Sequence, residues 1–338
     1  MKRMVSAIVI MVAAGFFVSN WASVVHAKAK PVVIKISHPV SATDPTHLGF
    51  IDFKDHIEKA SEGRFKVELY PNKQLANSDV ENLELLARKS IEITFTASSG
   101  LATQGNIRDF FIYDYPYFFL SDDDVYKISD GELGKEMNQK LLDKTGLKVM
   151  ANYVFGWMVV SNNTREIAAP KDMSGLKLRV LPSEGYQAIM KKVGATPIAM
   201  GFGELLPALQ QGTVDGVMTS PNLYISSKLY EVQKYMTDAK IGLIQHYAVT
   251  NNEWYEALPA DLKAIFDESV QVYQASVRKR MADEDVDARV QLKKLMQVRD
   301  LSDAELQAWK EIFAPIVDEN PGIAGEEMVK RAKAALGK

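Results

Sequence analysis

From Pro259 to about Val298 the sequence keeps helical spacing, with Leu262, Phe266, Val270, Tyr273, Val277 and Met281 recurring every three or four residues. Pro259 suits a first helical turn, and no glycine or proline follows it within the run. A helix of about 35–40 residues spans more than ~50 Å at roughly 1.5 Å per residue, longer than one lobe of a chain this size. The pattern therefore predicts a strut that touches two bodies. A coiled-coil arm is the alternative, weakened because strict heptads are not kept.

The N-terminus is set aside before any fold argument. Lys2 and Arg3 are basic, Val5 to Val18 is almost unbroken apolar chain, and Val25-His26-Ala27 supplies small residues for a peptidase. An apolar core of about 14 residues is short of the ~20 that a membrane span needs. A signal peptide over 1–27, cleaved after Ala27, and a periplasmic mature chain are expected. Removing Lys2 and Arg3 from the 40 basic residues leaves 38 against 43 acidic ones, a formal charge of about −5. That balance argues against nucleic acid as a partner. The sequence has no cysteine, which rules out disulfide staples and thiol catalysis. Stability must come from conventional cores, and about 310 residues suffice for two.

Strand and helix signals alternate along the mature chain. Val32 to Ile36 reads as a strand, Thr43 to Ala60 as a helix with Phe50, Phe53 and Ile57 on one face, and Phe65 to Tyr70 as a strand. A helix around Ser78 to Lys89 and a strand from Ile91 to Thr96 follow. Asn152 to Ser161 is a further strand, and Met173 to Ala248 repeats the alternation. The fold class is α/β, with largely parallel sheet and a second lobe. Ligands of such sheets bind beyond the carboxyl ends of the strands.

Within that second stretch, Asp172 to Val180 reads as a turn and a strand. Leu176, Leu178 and Val180 share one face, and Lys177 and Arg179 the other. A guanidinium at a strand end is a natural carboxylate clamp, because its planar fork gives two parallel hydrogen bonds. Catalysts are harder to find. The mature chain has only His38, His47, His56 and His246, none in a zinc-binding spacing, and no phosphate loop or dinucleotide fingerprint. Asp122-Asp123-Asp124 lacks metal-loop spacing and fits a helix N-terminus. No cofactor or metal is implied. Aromatic residues crowd Phe110 to Leu120, and Tyr153, Phe155 and Trp157 alternate on one strand, which suits the apolar wall of a small-molecule pocket.

The runs Gly175-Leu176-Lys177-Leu178-Arg179-Val180, Gly194-Ala195-Thr196-Pro197 and Ala208 to Gly216 (ALQQGTVDG) resemble the substrate-binding proteins of tripartite ATP-independent periplasmic (TRAP) transporters, the DctP family. Tyr70-Pro71, Gln74-Leu75 and Leu229 to Tyr235 extend the similarity over essentially the whole mature chain. The resemblance implies a two-lobed periplasmic-binding-protein fold with a hinge and a long helix bridging both lobes. Expected boundaries are 28–154 with 245–284 for lobe I and 155–244 with 285–338 for lobe II. It implies no enzyme but a monomeric receptor, which passes a small organic anion to a permease of small and large subunits.

In this family the arginine matched by Arg179 pairs with the ligand carboxylate, and the positions matched by Phe202 and Phe95 line the pocket. Sialic-acid binders carry a second arginine on the strand at the position of Trp157, and a glutamate and an arginine at those of Ala97 and Gly100. An asparagine often stands where Thr219 is found, with Ser220 and Asn222 close by. The loss of three charges implies a less polar pocket and argues against a polyhydroxylated sugar acid. The expected ligand is a monocarboxylate with an aromatic or branched body stacked on Trp157, a contact worth roughly 0.5–1.5 kcal/mol beyond area burial. A 2-hydroxy or 2-oxo acid, a C4-dicarboxylate and an organosulfonate are the alternatives. Ser98 and His38 are expected to close over the ligand from the other lobe, near Tyr153. A sensory receptor of the same fold and an exported hydrolase are the rival functions. N-terminal sequencing of the exported protein should begin at Lys28; a chain that keeps its first 27 residues would contradict the signal-peptide reading.

Overall fold

The computed structural model describes residues 30–338, so the signal-like segment 1–27 lies outside the described residues. The strands are β1 (Val32–Ser37), β2 (Phe65–Tyr70), β3 (Ile93–Ala97), β4 (Leu147–Trp157), β5 (Val159–Asn162), β6 (Lys177–Val180), β7 (Thr196–Ala199), β8 (Gly216–Thr219), β9 (Tyr235–Asp238), β10 (Leu243–Asn251) and β11 (Gln297–Asp300). They form two sheets, one in the order β2-β1-β3-β10-β4 and one in the order β11-β9-β5-β8-β6-β7.

The sheets are mixed, not largely parallel as the alternation of elements suggested. β1 pairs in parallel with β2 and β3, but β10 runs antiparallel to both β3 and β4. In the second sheet β6 is parallel to β7 and β8, while β5 is antiparallel to β8 and β9. The reason lies in how the chain crosses between sheets. β4 continues into β5 with only Met158 between them, and β9 leads to β10 through residues 239–242. The Met158 amide donates to Gly242 O at 2.8 Å, so the pairing carries on through the crossing. Two antiparallel segments thus run as one ribbon through both sheets, which short links permit and parallel crossovers do not.

Helices α1 (Pro45–Ala60), α2 (Asp79–Ala87) and α3 (Ser98–Gly105) follow β1, β2 and β3. At the start of α1 the Asp44 side chain accepts from the Thr46 amide at 2.9 Å, and Pro45 occupies the first turn. The buried face of α1, including Gly49, Phe50, Phe53 and Ile57, packs on the long helix Ala260–Leu295. Gly49 is needed there, since a Cβ would lie 3.2 Å from both Tyr273 and Val277. Phe50 stacks on Tyr273 with centroids 4.3 Å apart.

The long helix serves two cores. Phe266, Tyr273, Val277 and Met281 belong to the larger apolar cluster. Leu292 belongs to a separate one with Val159, Leu205, Val217 and Tyr224 around the second sheet. The C-terminal helices, expected with the second lobe, also meet elements of the first. Tyr115 Oη donates to Asn320 O at 2.7 Å and Arg331 pairs with Glu136, while Trp309 Nε1 donates to Ala168 O at 3.3 Å within the second lobe.

Phe50 and Tyr273 are fully buried where α1 and the long helix meet. Phe50→Ala should cost about 3–5 kcal/mol of unfolding free energy in urea; a loss under about 1 kcal/mol would show that this contact does not fasten the strut.

Candidate functional site

Arg179 stands on β6, between β8 and β7, and is only 2% exposed, whereas Lys177 two residues earlier faces solvent. Its Nε and Nη2 both donate to Met200 O, at 3.1 and 2.9 Å. A single carbonyl beyond the end of β7 therefore fixes the plane of the guanidinium. Nη1 makes no hydrogen bond among the described residues. Burial pulls the side chain down to about 10, against the opposing fields of Asp79, Tyr224 and Glu204, so it stays charged at neutral pH.

This arginine opens onto a small chamber of about 40 Å³, walled from both lobes. Phe95 on β3, Phe155 on β4, and Ile244 and His246 on β10 come from the first sheet. Thr219 on β8 comes from the second, and Phe202 and Leu223 from the helices at 202–210 and 221–226. His246 packs between Phe155, at 4.2 Å between ring centroids, and Phe95, at 5.0 Å. Burial pushes its imidazole down to about 3, so it lines the chamber as a neutral ring. His246 Nδ1 and Thr219 Oγ1 are buried without a hydrogen-bond partner among the described residues. Such orphaned polar atoms are costly unless something fills the space beside them. A second cavity of about 240 Å³ adjoins the first and shares Asp79, Arg179, Leu181 and Phe202 with it.

The structure brings Arg179, Phe95, Phe202 and Thr219 together around the chamber and places the other expected residues elsewhere. His38 lies behind Phe95 at 5.7 Å, with Nε2 3.1 Å from His47 Nδ1 and an imidazole held by burial at about 3. Tyr153 is behind His246, its hydroxyl 3.4 Å from Thr46 Oγ1. Ser98 turns to Asp114 at 3.5 Å, a buried carboxyl pushed up to about 7 that also bonds Ser183. Ser220 and Asn222 bond each other at 2.5 Å beside Gly156, where a Cβ would lie 2.7 Å from that of Ser220.

Trp157 requires a correction. It does not line the chamber; its Nε1 donates to Asp122 Oδ1 at 2.8 Å in a separate cavity with Tyr117, Phe119 and Lys240. The cause is a bulge in β4. Gln245 pairs with Val154 and Ile244 with Gly156, which leaves Phe155 as an extra residue. An inserted residue inverts the alternation that follows it, so Phe155 reaches the chamber and Trp157 goes to another face. With the indole absent from the wall, the expected stacking of an aromatic ligand on Trp157 falls away. The residues that sequence reasoning missed are Phe155, His246 and Asp79. The alternation of Tyr153, Phe155 and Trp157 pointed to an aromatic wall without singling out Phe155, and nothing in the spacing of His246 pointed at the chamber. The signal for Asp79 was its place in the first turn of a helix that follows a strand.

Among the described residues no group of three or more His, Cys, Asp or Glu side chains is placed to hold a metal ion. What the arrangement can do is hold an anion against a fixed guanidinium inside apolar walls.

Comparison with known proteins agrees with this geometry. The model of the bacterial extracellular solute-binding proteins, family 7 (DctP), matches residues 36–321. The C4-dicarboxylate-binding periplasmic protein DctP of Rhodobacter capsulatus is 32% identical over 314 residues, which cover 92% of this chain and 93% of that protein. A sugar acid binding protein of Advenella mimigardefordensis, solved with galactonate, superposes with a TM-score of 0.85 at 29% identity, over 90% of this chain and 98% of the other. A TRAP periplasmic solute-binding protein of Sulfurospirillum deleyianum with bound succinate gives 0.85 at 26% identity, over 91% and 100%. The chain belongs to the DctP family of bacterial extracellular solute-binding proteins, the substrate-binding proteins of TRAP transporters, and is a binding protein, not an enzyme.

Proposed function

We propose that this protein is a periplasmic receptor for a small organic acid, held as a monoanion with its carboxylate on Arg179. It works as a monomer and hands the acid to the small and large subunits of a TRAP permease. One observation carries the reading: a buried guanidinium, aimed by Met200 O, has an Nη1 with no hydrogen bond among the described residues. Leaving such a charge without an anion in an apolar wall is costly, and a ligand carboxylate removes that cost. Relatives named for C4-dicarboxylates or solved with galactonate and succinate support the same ligand class.

The chamber walls come from both sheets, so a ligand in it contacts both lobes at once. Contacts that exist only when the lobes are together favour the closed arrangement, which is the difference in affinity that drives closure. The ribbon at Met158 and the long helix are the connections about which the lobes turn. Hydrolysis finds no support, since the relatives are binding proteins.

By calorimetry against a panel of sugar acids, hydroxy acids and dicarboxylates, Arg179→Ala should weaken the best ligand at least about thirtyfold, or roughly 2 kcal/mol. Unchanged binding in a folded Arg179→Ala protein would refute the assignment. Trp157→Phe should leave the same affinity within about twofold; a loss of tenfold or more would return the indole to the site.

A further inference from the structure

β2 and β7 are outer strands of their sheets, four places from β4 and three from β5. At ~4.8 Å between neighbouring strands, they stand about 14–19 Å from the crossing at Met158. The segments that follow them, 71–78 and 200–204, are therefore carried on long arms, and turning the lobes moves them most. Yet the two segments touch. Gly203 is the second residue of the helix Phe202–Gln210, and a Cβ on it would lie 2.7 Å from Asn77 O. At Gly201, by contrast, a Cβ would make ordinary contact with Ser78 at 3.8 Å.

The backbone at Gly203 is ordinary helix, unlike the left-handed glycines elsewhere in the chain. Glycine there weakens the helix relative to alanine, so what its bare Cα supplies is the approach to Asn77. The other side of the seam is held in place. The Asn77 amide donates to Glu81 Oε2 at 2.7 Å and the Glu81 amide to Ser78 Oγ at 3.2 Å, which caps α2. Asn72 and Lys73 have left-handed backbones, with φ of 55° and 62°. Their amides are tied to Val40 O at 2.8 Å and His38 O at 3.4 Å, which maintains that strained turn. The turn sends Lys73 Nζ over the Phe202 ring, 5.7 Å from its centroid. An added methyl at 203 would meet backbone, which no side-chain rotation can move aside.

We propose that Gly203 is a positioning residue for ligand retention: its bare Cα lets the lobes meet at Asn77, and any side chain there limits how far they close. The proposal rests on the reading that the chamber closes around a carboxylate held by Arg179. Phe202, the preceding residue, lines the chamber, so wall and seam are consecutive positions of one helix. Pushing residue 203 back from Asn77 draws Phe202 off the ligand as well. A recess of about 280 Å³, lined from both segments, lies beside the contact, so the seam closes on a few atoms and not on a broad surface.

A ligand enters the open arrangement and is retained by the closed one. A side chain at 203 acts only on the closed one, so it speeds release and leaves entry unchanged. On the free protein it acts in the opposite direction, because alanine or leucine in place of a helical glycine favours the fold. A residue that merely supported the fold would show neither separation.

The experiment combines calorimetry, stopped-flow binding and thermal melting of Gly203→Ala and Gly203→Leu, with galactonate, erythronate, malate and succinate as probes. For the tightest probe, Gly203→Ala should weaken binding about fivefold and Gly203→Leu at least about thirtyfold. The loss should lie in the dissociation rate, with association unchanged within about twofold. Both ligand-free variants should melt no lower than the native protein. Native affinity in Gly203→Leu, a loss confined to the association rate, or a loss accompanied by a lower melting temperature overturns the proposal. If Arg179→Ala abolishes binding while Gly203→Leu binds as the native protein does, the anchor stands and only the seam fails. If Arg179→Ala binds normally, the anchor reading fails and this inference with it. A native protein that binds none of the four probes overturns both.

Discussion

The bond from Arg179 to Met200 O is the interaction on which the site depends. An arginine side chain has many rotamers, and two donors on one carbonyl remove that freedom. The carbonyl belongs to the residue just past β7, the immediate parallel neighbour of β6, so the sheet itself sets the geometry. Strand pairing, arginine plane and chamber mouth are in that sense one construction.

Around it, one large apolar cluster runs from the first sheet onto the second, where Val160, Leu178, Val180 and Met218 join it, and a smaller one packs against the second sheet alone. The ribbon formed by β4–β5 and β9–β10 crosses once through Met158, where pairing continues although the sheets change. The long helix makes the second connection, with Tyr273 and Met281 in one apolar cluster and Leu292 in the other. A paired ribbon and a helix resist stretching but tolerate bending, which suits two bodies that must meet around a small molecule.

Much of this was legible in the sequence, and the reasons differ by element. The strut was readable because nearly forty residues without glycine or proline have few alternatives to a helix. Arg179 was readable because strand alternation and a nearby turn put a charged residue where few charges belong. Phe95 and Phe202 came by resemblance, and both line the chamber. The mixed pairing of the sheets was not readable, since short apolar runs carry no record of direction. Asp79 resembled any acidic residue in a first helical turn, where the macrodipole alone accounts for it. His38, Tyr153 and Ser98 lie one layer behind the walls, a distinction that periodicity does not encode because both layers are buried.

The extra residue in β4 has a consequence for how such proteins diversify. Inserting one position near the end of an edge strand swaps inside for outside from there onward, without disturbing what lies before it. Selectivity in this fold can therefore shift through a change in counting as well as through a change in chemistry. Two relatives carrying the same side chain at matching positions after such a step would aim it at opposite sides of the sheet. Column-by-column comparison across that segment then reads the wrong residues as belonging to the binding wall.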